Sequence, residues 1–256
     1  MPAPALPPEF LSHPLAHRAL HDRARGRPEN SRAAIRAAVA AGYGIEIDLQ
    51  LSADGVAMVF HDEELNRLTE ATGWVNQRSA AELGALRLRD AADGIPTLTE
   101  VLALVAGAVP LLIEVKDQTL TPGGTIGPLE QATATALQGY EGPVALMSFN
   151  PDSVAELARR APHLPRGLTT GAYDYAGYAP LPPALCDQLR DIPDYDRVGA
   201  SFLSHEAADL ARPRVAALKA QGARILCWTI KSPEAEAAAR KHAENITFEG
   251  YLPPKP

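Results

Sequence analysis

GIEIDLQLSADGVAMVFHD, residues 44–62, is the stretch on which the fold and the chemistry of this chain both turn. It opens as a β-type run in which Glu46 and Asp48 stand two apart, so strand alternation sends both carboxylates to one face. Asp54-Gly55 follows, a strong hairpin signal because a type I′ turn needs positive φ at both central residues. A second β-like run, Val56 to Phe60, ends in His61-Asp62. With Asp54-Gly55 as a two-residue turn, the pairing sets His61 directly across from Asp48, at roughly 5 Å between Cα atoms. The fold-back thus brings an imidazole beside two carboxylates. Oxygen donors of this kind suit a hard cation, and a neighbouring histidine suits proton transfer.

Working outward, the chain alternates β-like and helical segments. Eight strands are predicted besides the hairpin's return arm: 11–18, 44–50, 110–117, 143–149, 166–171, 197–203, 223–230 and 246–250. Between them, Asn30 or Ser31 caps a helix closed by Gly42, and Thr97-Leu98-Thr99-Glu100 forms a capping box. Asn150-Pro151 and Ser232-Pro233 open two further helices, and a helix is expected from Ser204 with a break at Pro213. Residues 63–95 read as a long polar connection with a short helical piece, SAAELGAL, and 177–196 as a loop rich in proline and acidic residues with one helical turn. Alternating strands and helices imply parallel strands joined by right-handed crossovers, and eight such units in about 250 residues predict a single (β/α)₈ TIM barrel spanning 1–256.

Composition narrows the class. At 256 residues, 46% hydrophobic and 21% charged, the chain is neither disordered nor membrane-like. No apolar run approaches the roughly 20 residues that span a bilayer, so no stable membrane association is expected. The net charge of −7 and the lack of a basic tract argue against nucleic acid as a partner. The proline-rich N-terminus lacks a basic n-region and reads as a partly extended arm of a cytoplasmic protein. Cys186 and Cys227 show no metal or redox spacing and read as core thiols. Oligomeric state leaves no mark in the sequence.

Five residues fall at predicted C-terminal strand ends or just beyond, where barrel active sites form: His17, Glu46, Asp48, His61 and Glu114. Three carboxylates from neighbouring strands make an oxygen-rich site for Mg²⁺ or Ca²⁺. The two histidines could serve zinc, but the carboxylates outnumber them, and an acid–base pair is the better role. Arg18 and Lys116 add fixed positive charge that fits an oxyanion such as phosphate, with charge balance for the acidic cluster as the alternative. Metal, two histidines and a basic pair together describe metal-assisted phosphodiester cleavage.

Through AHR, PENS, IEIDLQLSADG, VFHD, LNRLTEATGWV, IPTLTEVL and IEVK, in order between Ala16 and Lys116, the chain resembles the glycerophosphodiester phosphodiesterase family. SFNP and the CWT strand extend the likeness more weakly. The resemblance implies a phospholipase-C-like barrel that hydrolyses glycerophosphodiesters to sn-glycerol 3-phosphate and an alcohol with Mg²⁺ or Ca²⁺. It puts the metal carboxylates on Glu46, Asp48 and Glu114, the acid–base histidines on His17 and His61, and the phosphate contacts on Arg18 and Lys116. The chain departs from the family pattern at Ala19, where glycine is usual, in a longer 19–27 loop carrying His21, and at Glu249, where aspartate is usual. No role is carried over to Glu249, and Trp228 and Phe149 are read as core ahead of pocket walls. A lysophospholipase D-type phosphodiesterase is the alternative activity, but it calls for an apolar rim, and the rim loops are polar. A non-catalytic ligand-binding barrel would be expected to lack one of the five residues.

Overall fold

The computed structural model describes residues 4–179 and 181–255. Its strands are β1 (Leu15–Ala16), β2 (Gly44–Leu51), β3 (Ala57–Val59), β4 (Leu111–Val115), β5 (Val144–Ser148), β6 (Arg166–Thr170), β7 (Phe202–Glu206), β8 (Arg224–Ile230) and β9 (Asn245–Phe248). Parallel pairing runs β1-β9-β8-β7-β6-β5-β4-β2, and β1 also pairs with β2, so eight strands close on themselves while β3 lies antiparallel beside β2. The helices are α1 (Glu9–Ser12), α2 (Arg32–Ala41), α3 (Ala80–Ala85), α4 (Leu98–Val105), α5 (Pro128–Ala136), α6 (Pro151–Arg160), α7 (Pro183–Arg190), α8 (Pro213–Ala220) and α9 (Pro233–Ala239). The molecule is the (β/α)₈ barrel that the alternation predicted. None of its described helices is long and apolar enough to cross a membrane.

Alternation along each strand separates two environments. One face of β2 and β4, with Ile45, Ile47, Leu49, Leu111, Ile113 and Val115, packs against the surrounding helices. The other face points into the barrel, and it grades from apolar to polar along the strands. At the bottom, Leu15, Leu112, Ala145, Met147, Phe202 and Leu226 fill the interior, sealed from below by Leu6 and Phe10 of the N-terminal segment. Two and four residues further along the same faces stand His17, Glu114, Lys116, Phe149, Ser204, Glu206 and Trp228. One periodicity therefore builds both the plug and the mouth.

Several predicted boundaries move. The predicted strand 11–18 is reduced to Leu15–Ala16, because Glu9–Ser12 forms a helical turn whose Phe10 is fully buried. Asn245 Nδ2 ties this segment down by donating to the carbonyls of Phe10 (2.8 Å) and His13 (2.6 Å). The N-terminal arm is thus a barrel cap from Leu6 onward, while the first three residues of the arm lie outside the described residues. The strand predicted at 197–203 runs instead from Phe202 to Glu206, and its helix starts at Pro213, not Ser204. Pro213 sits at the first helical position, where its missing donor costs nothing. The 177–196 loop contains the eight-residue α7, which buries Cys186. The 63–95 connection is no polar loop: Met58, Phe60, Leu65, Leu68, Val75, Leu83, Leu88 and Ile95 give it a core of its own.

The hairpin register is also one residue out. Leu49 pairs with Val59 and Leu51 with Ala57, so Asp48 faces Phe60, whose N–H donates to the Asp48 carbonyl at 3.0 Å. The loop has three residues, Ala53-Asp54-Gly55, closed by Ser52 N to Val56 O at 3.0 Å, with φ of 80° at Gly55. Side chains select this longer loop. Ser52 Oγ accepts from Val56 N and donates to Asp54 Oδ1, and Asp54 Oδ1 accepts from Ala80 N of α3. β3 ends at Val59, and His61 reaches the mouth from the chain beyond it.

Candidate active site

A cavity of about 450 Å³ opens at the C-terminal end of the barrel strands. All seven residues singled out in the sequence line it: His17, Arg18, Glu46, Asp48, His61, Glu114 and Lys116. Asp48 and Glu114 are register partners on β2 and β4, and Glu46 lies two residues below Asp48 on the same face. One carboxylate oxygen from each of the three lies within 4.8 Å of the others, and all three residues are buried.

The triad carries more negative charge than its neighbours neutralise. Lys116 Nζ bridges Asp48 Oδ1 (2.8 Å) and Glu114 Oε1 (2.6 Å), while Arg18 Nε lies 3.7 Å from Asp48 Oδ2. Burial together with the like charges of Asp48 and Glu114 pushes the Glu46 carboxyl well above its ordinary range. Burial would raise Asp48 as well, but Lys116, His61 and Arg18 outweigh it and hold that carboxyl low. Lys116, although largely buried, stays protonated beyond its usual value because Asp48 and Glu114 outweigh the cost of burial. Buried oxygen-only donors with uncompensated charge fit a hard divalent cation, and they lack the thiolate or imidazole majority expected for zinc.

The backbone at the first strand end helps to shape this cluster. Arg18 and Ala19 both have positive φ, 51° and 66°. The turn aims Arg18 N at Glu46 Oε2 (2.9 Å) and Ala19 N at the Glu46 carbonyl (3.0 Å). Ala19 thus adopts the left-handed conformation that the family's usual glycine would adopt freely.

Each histidine is oriented by a carboxylate. His17 Nδ1 lies 2.7 Å from Glu249 Oε2, and His61 Nδ1 lies 2.7 Å from Asp62 Oδ1. An ionised carboxylate can only accept, so the proton sits on Nδ1 and Nε2 is left for the cavity. Burial lowers the His17 pKa against the opposing Glu249 hydrogen bond. Hydrogen bonds from His17 and then His21 hold Glu249 well below the carboxylate range, with Lys231 Nζ 2.7 Å away on the other oxygen. On the second side, Arg67 clamps both Asp62 (2.6 and 2.9 Å) and Glu29 (2.8 and 2.7 Å), and Glu29 in turn receives Arg18 at 2.7 Å. His61 and Arg18 are thereby linked through one ionic chain. Asn30 Nδ2 donates to Asp48 Oδ2 at 2.9 Å and completes that carboxylate's partners.

Glu249, Asp62, Glu29, Arg67 and Asn30 were not marked from sequence as site residues. Asp62, Glu29 and Asn30 lay inside motifs already quoted, VFHD and PENS, where their spacing was the available signal. Arg67 likewise lies in the quoted motif LNRLTEATGWV, whereas Glu249 departs from the usual aspartate. Trp228 and Phe149, read as core, stand instead in the cavity wall in edge-to-face contact, ring centroids 5.5 Å apart.

The fold is that of known enzymes. A phosphodiesterase from Oleispira antarctica, solved in complex with the product sn-glycerol-3-phosphate, superposes with a TM-score of 0.75 at 24% identity, over 93% of each chain. A glycerophosphodiester phosphodiesterase from Thermotoga maritima gives 0.69 at 22% identity, over 91% of this chain and 92% of that one. In sequence, an uncharacterized Bacillus subtilis protein is 35% identical over 59% of this chain, and a glycerophosphodiester phosphodiesterase of Caldanaerobacter subterraneus is 36% identical over 55%. The chain spans 65% and 60% of those two relatives' lengths. Residues 17–246 match the family model of the glycerophosphoryl diester phosphodiesterases, and the chain belongs to that family.

Proposed function

We propose that the protein hydrolyses glycerophosphodiesters to sn-glycerol 3-phosphate and an alcohol, in a reaction that depends on a divalent metal. The observation that carries this reading is the pair of carboxylate-oriented histidines sharing one cavity with a buried three-carboxylate cluster. Family membership and the named relatives support it.

Glu46, Asp48 and Glu114 would hold Mg²⁺ or Ca²⁺, which when bound supplies positive charge against the phosphoryl oxygens. The remaining work falls to the chain's own side chains. His17 and His61 reach the cavity from β1 and from beyond β3, so one can take the proton of the attacking hydroxyl while the other protonates the departing alkoxide. Glu249 and Asp62 fix the tautomers in which Nε2 does that work, and they stabilise the imidazolium when it forms. Arg18 and Lys116 bind the phosphate while balancing Glu29 and the triad. The test is a panel of glycerophosphocholine, glycerophosphoethanolamine, glycerophosphoinositol and a lysophospholipid, each with and without EDTA. Metal-dependent release of sn-glycerol 3-phosphate from the first three is expected. Turnover of the lysophospholipid alone would move the protein to the lysophospholipase D reading, and full activity after exhaustive metal removal would remove the metal role.

A further inference from the structure

We propose that the side of the cavity walled by Phe149 and Trp228, with Tyr178 and Glu206 packed next to them, receives an alcohol moiety bearing a quaternary ammonium group, with Glu206 as its counter-charge. The proposal rests on the reading of this cavity as a glycerophosphodiesterase site and names the class of diester that suits it.

Glu206 ends β7 and belongs to the inward-facing series Phe202, Ser204, Glu206, whose middle member lines the cavity. Its register partner on β8 is Trp228, which lines the cavity, so their side chains leave the sheet on the same face. The Glu206 carboxylate accepts from Ala172 N (2.9 Å) and Tyr178 Oη (3.2 Å), both neutral donors. A side chain at Gly171 would collide with Tyr178 Oη and Glu206, so glycine is what permits this approach.

The charge on Glu206 is what calls for a ligand. Glu29, Asp48, Asp62, Glu114 and Glu249 each have a basic partner within salt-bridge distance. Glu46 completes the acidic triad. Among the described residues, Glu206 has no lysine, arginine or histidine within 4.0 Å, although it is only partly exposed. Around it stand aromatic rings: Phe149 contacts Trp228 at 5.5 Å and Tyr178 at 6.5 Å between centroids, and Tyr178 packs on Tyr173 at 4.7 Å. Ring faces attract an ammonium group electrostatically, most strongly one whose methyl groups need no hydrogen bonds. A polyol would find few partners among Phe149, Trp228 and Met147, and an anionic alcohol moiety would be repelled by Glu206. The cation is the chemistry this wall can satisfy.

Glu206 also holds residues 172–178 against the barrel, and the test separates that structural part from recognition. Glutamine keeps an oxygen acceptor for the two donors and removes only the charge. The probes are choline and its uncharged isostere 3,3-dimethylbutan-1-ol, titrated into the full chain in Mg²⁺ and followed by calorimetry. Wild type is expected to bind choline about tenfold more tightly than the isostere, the scale of a cation held by rings and one carboxylate. Glu206→Gln should bring the two to within about twofold at an unchanged melting temperature. In turnover, the ratio of kcat/KM for glycerophosphocholine to that for glycerophosphoglycerol should fall by a similar factor. If Glu206→Gln does not fold, Phe149→Leu, which keeps an apolar side chain and loses a ring, should also narrow the choline preference. Equal binding of the two probes by wild type, or a preference untouched by both variants, overturns the proposal. Selective choline binding without hydrolysis of any glycerophosphodiester would instead overturn the proposed activity, so the two failures are distinct.

Discussion

At the lower end of the barrel, Leu6, Phe10, Leu15, Leu112, Phe202 and Leu226 meet in an apolar plug, whereas at the upper end the same strand faces carry His17, Glu114, Lys116, Glu206 and Trp228. The two ends differ in what they can lose. The plug gains its free energy from buried apolar area and close packing, and it tolerates no cavity. The mouth gathers like charges in a buried space, which folding alone would not favour, and an opposing cation or substrate must relieve the imbalance. Residues below should therefore govern stability, and residues above should govern turnover.

The sharpest way to break this contrast is at Glu46. Glu46→Gln is expected to lower kcat/KM by a factor on the order of 10³ or more, the scale of losing a metal ligand at the reacting phosphate. Removing one of three crowded carboxylates should leave the melting temperature equal or higher. A marked drop in melting temperature would show that the triad is structural, contrary to the contrast. Phe10→Ala is the reciprocal change. A fully buried phenylalanine lost from the plug should reduce unfolding free energy by about 3–5 kcal/mol while kcat stays unchanged. Denaturant titration and steady-state assay on one preparation measure both quantities.

The histidines sharpen the contrast within the mouth itself. His17→Ala and His61→Ala should each cost roughly 10²- to 10⁴-fold in kcat and abolish one limb of a bell-shaped pH–rate profile. The variant lacking the acid should recover on a substrate with a good leaving group, because protonation of the departing oxygen is then dispensable. Near-wild-type rates from either variant on a poor leaving group would take that histidine out of the mechanism. Lys116→Ala has the smallest expected effect, a loss of about 10² in kcat/KM if its charge faces the phosphate. The bridge from Lys116 to Asp48 and Glu114 offers a second outcome. If charge balance is its task, the loss should appear in the metal concentration needed for half-maximal rate and vanish at saturating metal.

Much of this was legible because it is periodic. The inward faces of β2 and β4 are written in the sequence at spacing two, and so the triad is legible there. What escaped depended on distant partners. The hairpin register failed because Asp54 Oδ1 is engaged by Ala80, 26 positions on, which favours a three-residue loop over the local Asp-Gly turn. The predicted first strand was too long because the residues before Leu15 form a helical turn whose Phe10 joins the plug with residues of four other strands. Glu249 was passed over because its significance lies in the 2.7 Å contact with His17, 232 residues away. The aromatic wall was missed for a related reason: only closure of the barrel distinguishes a strand-end ring in the mouth from one in the core.

The brevity of β1 has a consequence for how the protein fails. Its two residues pair with Gly44 and Ile45 on one side and with Thr247 and Phe248 on the other, and a Cβ at Gly44 would stand 2.5 Å from Leu15 Cδ2. This is the narrowest seam of the ladder, and His17 and Arg18 hang directly from it. Opening there would withdraw both side chains while β2 to β9 stay zipped. Catalytic competence should therefore disappear in a sub-global event that leaves far-ultraviolet ellipticity almost untouched. Amide exchange at His17, whose N–H donates to the Phe248 carbonyl at 2.9 Å, would time it. In this molecule, inactivation and unfolding become two clocks, and the seam sets the faster one.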